Sequence, residues 1–85
     1  MGRRAKIVNL TDSQAAVYDA LRDNGPLPDH ALVPIVQHVN GKHISSSGIR
    51  TRRAELVKAG LVTQTGDEVV MPSGRAAKVY DVVNL

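Results

Sequence analysis

Three histidines, a run of serines and a cluster of arginines are the residues here whose chemistry goes beyond packing. His30, His38 and His43 offer imidazole, a common metal ligand. Zinc sites gather three or four ligands, however, and only His38 and His43 are neighbours in sequence, with no cysteine to join them. His43 also precedes Ser45, Ser46 and Ser47, a base beside hydroxyls. A catalytic serine further requires an acid to orient the base and donors for an oxyanion, and nothing nearby supplies them. Gly74-Arg75 lacks the context of a phosphate loop. Neither a metal, another cofactor nor an enzymatic activity is therefore expected. What remains is recognition. Hydroxyls bond many partners, and arginine can bond two acceptors on a guanine edge at once.

These residues need an element to present them, and residues 45–60 supply one. The serines suit a helix start, where a hydroxyl accepts from an unpaired N–H of the first turn. Gly60 suits the left-handed position past a helix end. At 100° per residue Ile49, Leu56 and Gly60 share one side. Ser47, Thr51, Ala54 and Lys58 share the other, with Arg50 at its margin. A face of short side chains can lie deep in a DNA major groove.

The stretch Ser47-Gly48-Ile49-Arg50-Thr51-Arg52-Arg53-Ala54-Glu55-Leu56-Val57-Lys58-Ala59-Gly60-Leu61-Val62 resembles the recognition helix and first wing strand of winged helix-turn-helix DNA-binding domains. Its Glu-Leu-x-x-x-Gly-Leu-Val ending is the most typical part. The chain is also similar to small winged-helix proteins of actinobacteria and their phages. The likeness is strong over residues 45–62 and looser over roughly 10–83. It implies an α+β fold, a winged helix-turn-helix with three helices followed by a β-hairpin wing. It also implies that Arg75 meets a minor groove from the wing. Arg53 departs from the pattern, standing where the family usually places an aliphatic core residue.

Composition fits one small domain over 10–85, preceded by a basic arm over 1–9. The 42% hydrophobic content argues against general disorder, and no apolar run reaches membrane-spanning length. Residues 1–10 lack the apolar core of a signal peptide, so a cytoplasmic protein that does not engage membranes is expected. The net charge of +3 is unevenly placed. Residues 11–40 carry Asp12, Asp19, Asp23 and Asp29 against Arg22, whereas residues 41–60 carry Lys42, Arg50, Arg52, Arg53 and Lys58 against Glu55. Such a distribution suits a polyanion next to the helix. Two tyrosines, with neither Phe nor Trp, are too few for the aromatic platforms of single-strand binders, so double-stranded DNA is the expected partner.

Around this helix the sequence predicts two others. Thr11 and Gln14 form a capping box for the first, with Val17, Tyr18 and Leu21 facing inward and Asn24-Gly25-Pro26 as the stop. Pro28-Asp29 can open the second, which Pro34 must either bend or begin. Ile7-Val8 is read as a very short strand. A strand over 61–65 and a return strand over 77–83 form the wing, with Gly66-Asp67 as turn material. Between them lies either one long loop, or an early pairing of Val69–Met71 that leaves Pro72-Ser73-Gly74 as a second turn. Val79 on one face of the return strand, with Tyr80 and Val82 on the other, calls for cover on both sides, from the arm or from a second protomer in a homodimer.

The sequence thus points to sequence-selective duplex binding by a small transcriptional or phage regulator. Ser47, Arg50 and Thr51 are the expected base contacts. Ser46, Arg52, Lys42 and Arg75 are the expected backbone or wing contacts, and Lys78 and His43 are weaker phosphate candidates. Arg53 is expected to be structural, its guanidinium either reaching solvent or meeting a carboxylate or backbone carbonyl, with Asp81 a candidate partner. The alternative is a winged helix that docks an acidic protein surface.

Overall fold

The computed structural model describes residues 10–40 and 44–83. In chain order these form α1 (Asp12–Asn24), β1 (Leu27–Pro28), α2 (Asp29–Asn40), α3 (Ser46–Lys58), β2 (Val62–Val70) and β3 (Ala76–Val82). The class is α+β, with three helices and a three-stranded antiparallel sheet in the order β1-β3-β2. The expected Ile7-Val8 strand and the contacts expected of Lys42 and His43 lie outside the described residues.

Local chemistry explains the helix boundaries. Thr11 Oγ1 accepts from the Gln14 amide at 3.2 Å, and Gln14 Oε1 accepts from the Thr11 amide at 3.0 Å, so the capping box of α1 is complete. Gly25, at φ 81°, ends that helix by donating to the Leu21 carbonyl. α2 runs unbroken from Asp29 to Asn40 with Pro34 inside it. His30, Pro34 and His38 recur every fourth residue on its exposed side. There water can meet the backbone carbonyl that a proline leaves without a donor.

Val17, Leu21, Leu32, Val36, Ile49 and Leu56 are fully buried and join the three helices into one core. Leu61 and Val62 extend it to the start of β2, while Tyr80 and Val82 pack against it from β3. The helical core positions are those that 3.6-residue spacing puts on one face.

The sheet departs from expectation in two places. β1 was not anticipated, because Leu27 and Pro28 follow a helix stop and precede a helix start. Leu27 pairs with Tyr80 and Pro28 with Val79, so this two-residue strand covers one edge of β3. Gly66-Asp67, expected as turn material, lies within β2. Between Gln64 and Glu68 β2 advances four residues while β3 advances two, from Tyr80 to Lys78, which makes a bulge. Gly66 at φ 97° supplies the left-handed residue there, and Thr65 Oγ1 accepts from the Asp67 amide. The chain reverses later, at Pro72–Gly74. The Gly74 amide donates to the Met71 carbonyl and the Met71 amide to the Arg75 carbonyl, each at 2.8 Å. Of the two layouts open from sequence, early pairing of Val69 and Val70 is the one found.

Candidate nucleic-acid interface

α3 is fixed at both ends. Ser45 Oγ accepts from the Gly48 amide at 3.0 Å. A Cβ at position 48 would lie 3.2 Å from Ser45 Oγ and 3.4 Å from Ile44 Cγ2, so glycine lets the cap close. At the other end the Gly60 amide donates to the Val57 carbonyl and the Leu61 amide to the Leu56 carbonyl, a Schellman ending with apolar Leu56 and Leu61 beneath it. Gly60 holds φ 82°, as that ending requires.

Three polar ties fix the rotation and height of α3. Gln14 Nε2 on α1 donates to Glu55 Oε1 at 2.8 Å. Gln37 Nε2 on α2 donates to the Ile44 carbonyl at 3.1 Å, just before the cap. Arg53 forms a two-pronged pair with Asp29, Nε to Oδ1 at 2.9 Å and Nη2 to Oδ2 at 2.7 Å. The Arg53 guanidinium also lies 4.0 Å from the Tyr80 ring centroid. Arg53 is therefore structural in its contacts, but its partner is Asp29. Asp81, the candidate from sequence, instead accepts from the Val82 amide. Asp29 reaches Arg53 because α2 starts beside the middle of α3, a proximity that strand and helix periodicities do not encode. The Asp29 carboxylate holds the Arg53 charge more firmly than in free arginine, against the opposing cost of partial burial.

With its inner flank committed in this way, α3 presents Ser46, Ser47, Arg50, Thr51, Ala54 and Lys58 to solvent. Thr51 Oγ1 donates to the Ser47 carbonyl at 2.9 Å, so its proton is used within the helix, and what it offers outward is an acceptor and a methyl group. Ser45 and Ser47 hydroxyls stand 3.3 Å apart. The expected base contacts Ser47, Arg50 and Thr51 thus share one exposed face, and Ser46 adjoins them. Arg52 does not stand free beside them. Its Nε and Nη2 donate to Glu55 Oε1 and Oε2 at 2.7 and 2.8 Å. Bonds from Arg52 and then Gln14 hold the Glu55 carboxyl below its ordinary range.

Among the described residues Arg22, Arg52 and Arg53 hold ion pairs. Arg50, Lys58, Arg75 and Lys78 hold none. All four belong to α3 or to the hairpin, and Arg75 is exposed where the hairpin turn runs into β3. Asp67 and Glu68, both exposed, sit apart from the turn at the β2 bulge. Between α2, α3 and the hairpin runs an open groove of about 230 Å³, lined by Asp29, His30 and Arg50 on the helical side and Met71, Ala77, Lys78 and Tyr80 on the sheet side. His30 is the one groove residue that sequence reasoning weighed only as a metal ligand. No sequence signal tied it to Arg50 and Lys78, because three separate elements bring them together.

Among the described residues no three His, Asp or Glu side chains gather as a metal site. No described helix is long and apolar enough to cross a membrane. Comparison with protein-family models, with curated proteins and with solved structures finds no match.

Proposed function

We propose that this chain is a non-enzymatic, sequence-selective binder of double-stranded DNA, built as a winged helix-turn-helix and acting as a small cytoplasmic regulator of transcription or of a phage process. The observation that carries this reading is the sorting of charge. Every described Arg or Lys without an ionic partner lies on α3 or the hairpin, flanking a face of short hydroxyl side chains. The one described cation outside those elements, Arg22 on α1, is paired with Asp19 and Asp23. The element order is also the one that the resemblance implies, helices first and a hairpin last.

In this reading α3 enters the major groove with Ser47, Arg50 and Thr51 toward base edges. Arg50 supplies the fork that matches guanine, and Thr51 supplies a methyl for apolar contact. Ser46 and Arg75 take backbone positions, which orient the protein without specifying sequence. Arg52 contributes through its bonds to Glu55 within α3, which orient the carboxylate that Gln14 of α1 also bonds. The hairpin is the wing.

Titration of a labelled random duplex at several salt concentrations tests the class. Duplex binding should weaken linearly in log–log form, with a slope of about 0.9 per phosphate neutralised. Absence of binding even at low salt would overturn the reading and favour an acidic protein surface as the partner of the same cations. Selection of bound sequences from a random pool then defines the site.

A further inference from the structure

We propose that the groove between α2, α3 and the hairpin seats one sugar-phosphate unit of the duplex backbone, held by Lys78 and His30. This rests on the duplex-binding reading and assigns to it a contact made by neither the reading face of α3 nor the hairpin turn. Arg50 and Lys78 come from elements far apart in sequence, yet both line this groove, and neither holds an ion pair among the described residues. Cations that line one groove without ionic partners favour an anion within it. Asp29 is the carboxylate in the lining, and both its oxygens are engaged by Arg53. Glu68 stands opposite Lys78 in the β2–β3 register, but it forms no ion pair with it and does not line the groove.

The groove thus offers a cation without an ion pair at Lys78, an imidazole at His30, and an apolar strip of Met71, Ala77 and the Tyr80 ring. That combination suits a phosphate joined to an apolar-faced sugar better than it suits a carboxylate or an isolated inorganic anion. Arg50 closes the helical side, so the strand that fills the groove continues onto the reading face. Lysine serves here as a point charge and histidine as a hydrogen-bond donor.

The test compares the wild-type protein with Lys78→Gln, His30→Ala and Arg22→Gln on random duplex across salt concentrations. Lys78 and His30 are exposed, so unchanged thermal melting should accompany both groove variants. Lys78→Gln should lower the salt slope by about one. His30→Ala should weaken binding about 2- to 12-fold, as loss of one hydrogen bond does. Arg22→Gln removes the same charge from α1 and should leave the slope unchanged. A wild-type slope in Lys78→Gln, or wild-type affinity in His30→Ala, would overturn the groove assignment while duplex binding itself stood. Failure of the wild-type protein to bind duplex would instead overturn the parent reading. A parallel NMR titration separates the phosphate sources. Duplex should shift the amides of Ala77 and Lys78, and saturation of those shifts by free 2-deoxyribose 5-phosphate alone would make the site one for a small ligand and overturn the proposal.

Discussion

Breaking the Asp29–Arg53 pair is the sharpest perturbation that the structure offers. The two side chains are 20% and 16% exposed, and they share two short bonds. Removing one partner of a fully buried pair costs about 3–5 kcal/mol, because the other charge is stranded. Residual wetting of both side chains reduces this, so Asp29→Ala should cost about 2–3 kcal/mol. Arg53→Met is milder. It keeps an apolar stem against the core edge and strands a carboxylate in the first turn of α2, where the helix dipole favours negative charge by about 0.3–1 kcal/mol. It also removes the stacking on Tyr80, worth about 0.5–1 kcal/mol, for a total near 1–2 kcal/mol. The double variant should cost no more than Asp29→Ala alone, which gives a coupling energy of about 1–2 kcal/mol. A domain of this length has roughly 4–12 kcal/mol of stability, so the losses are measurable and survivable. Urea denaturation followed by circular dichroism provides the free energies, and Asp29→Ala should lower Tm by about 10–20 °C. Additive single losses, with coupling under about 0.5 kcal/mol, would refute the argument. Arg53→Met should also retain most sequence preference for DNA, and a large loss of preference at intact stability would place Arg53 on the reading face instead.

Three further outcomes are expected. Arg50→Ala should cost about 1–3 kcal/mol on the selected DNA site and less on random duplex, and equal losses on both would make it a phosphate contact. Arg75→Ala should weaken duplex binding with little change in Tm, because an exposed turn residue contributes little to folding, and unchanged affinity would remove the hairpin turn from the interface. The folded Glu55 carboxyl titrates below its unfolded value of about 4.3, so its bonds to Arg52 and Gln14 stabilise the fold above that pH and are lost as pH falls through the lower folded value. The stability gap between wild type and Glu55→Gln should therefore be present at pH 7 and shrink toward pH 3. A constant gap would refute the assignment.

What could be read from sequence was mostly local. The Thr11–Gln14 box, the serine start and the Gly60 end of α3 depend on residues within a turn of one another, and all three form as expected. The core faces followed from helical spacing, including fully buried Ile49 and Leu56. What escaped the sequence was set by distant partners. β1 is two residues long and exists because β3 pairs with it at Tyr80 and Val79. Asp29 was read as a helix starter, which it is, but its pairing with Arg53 depends on where α2 meets α3. Gly66-Asp67 carries ordinary turn chemistry, yet the pairing of Val69 and Val70 beyond it converts that chemistry into a bulge. The candidate interface was visible as a face of α3, whereas the groove beside it was not, since no window of sequence contains His30, Arg50 and Lys78 together.

The bulge in β2 also bears on how copies of this chain behave when crowded. The outer edge of β2 meets no other described strand, and Val70 beyond the bulge is 78% exposed. A straight edge of that kind is a template on which a second chain can add itself, the first step toward fibrous aggregates. The two extra residues between Gln64 and Glu68 interrupt the ladder, so an incoming strand paired in register at Thr63 is two residues out of register by Val69. Asp67 and Glu68 stand at that break, where two approaching copies would bring like charges face to face. The irregularity divides the edge into two short runs, each too short to recruit a neighbour well, and so lets the hairpin stay uncovered without becoming a seed for polymerisation.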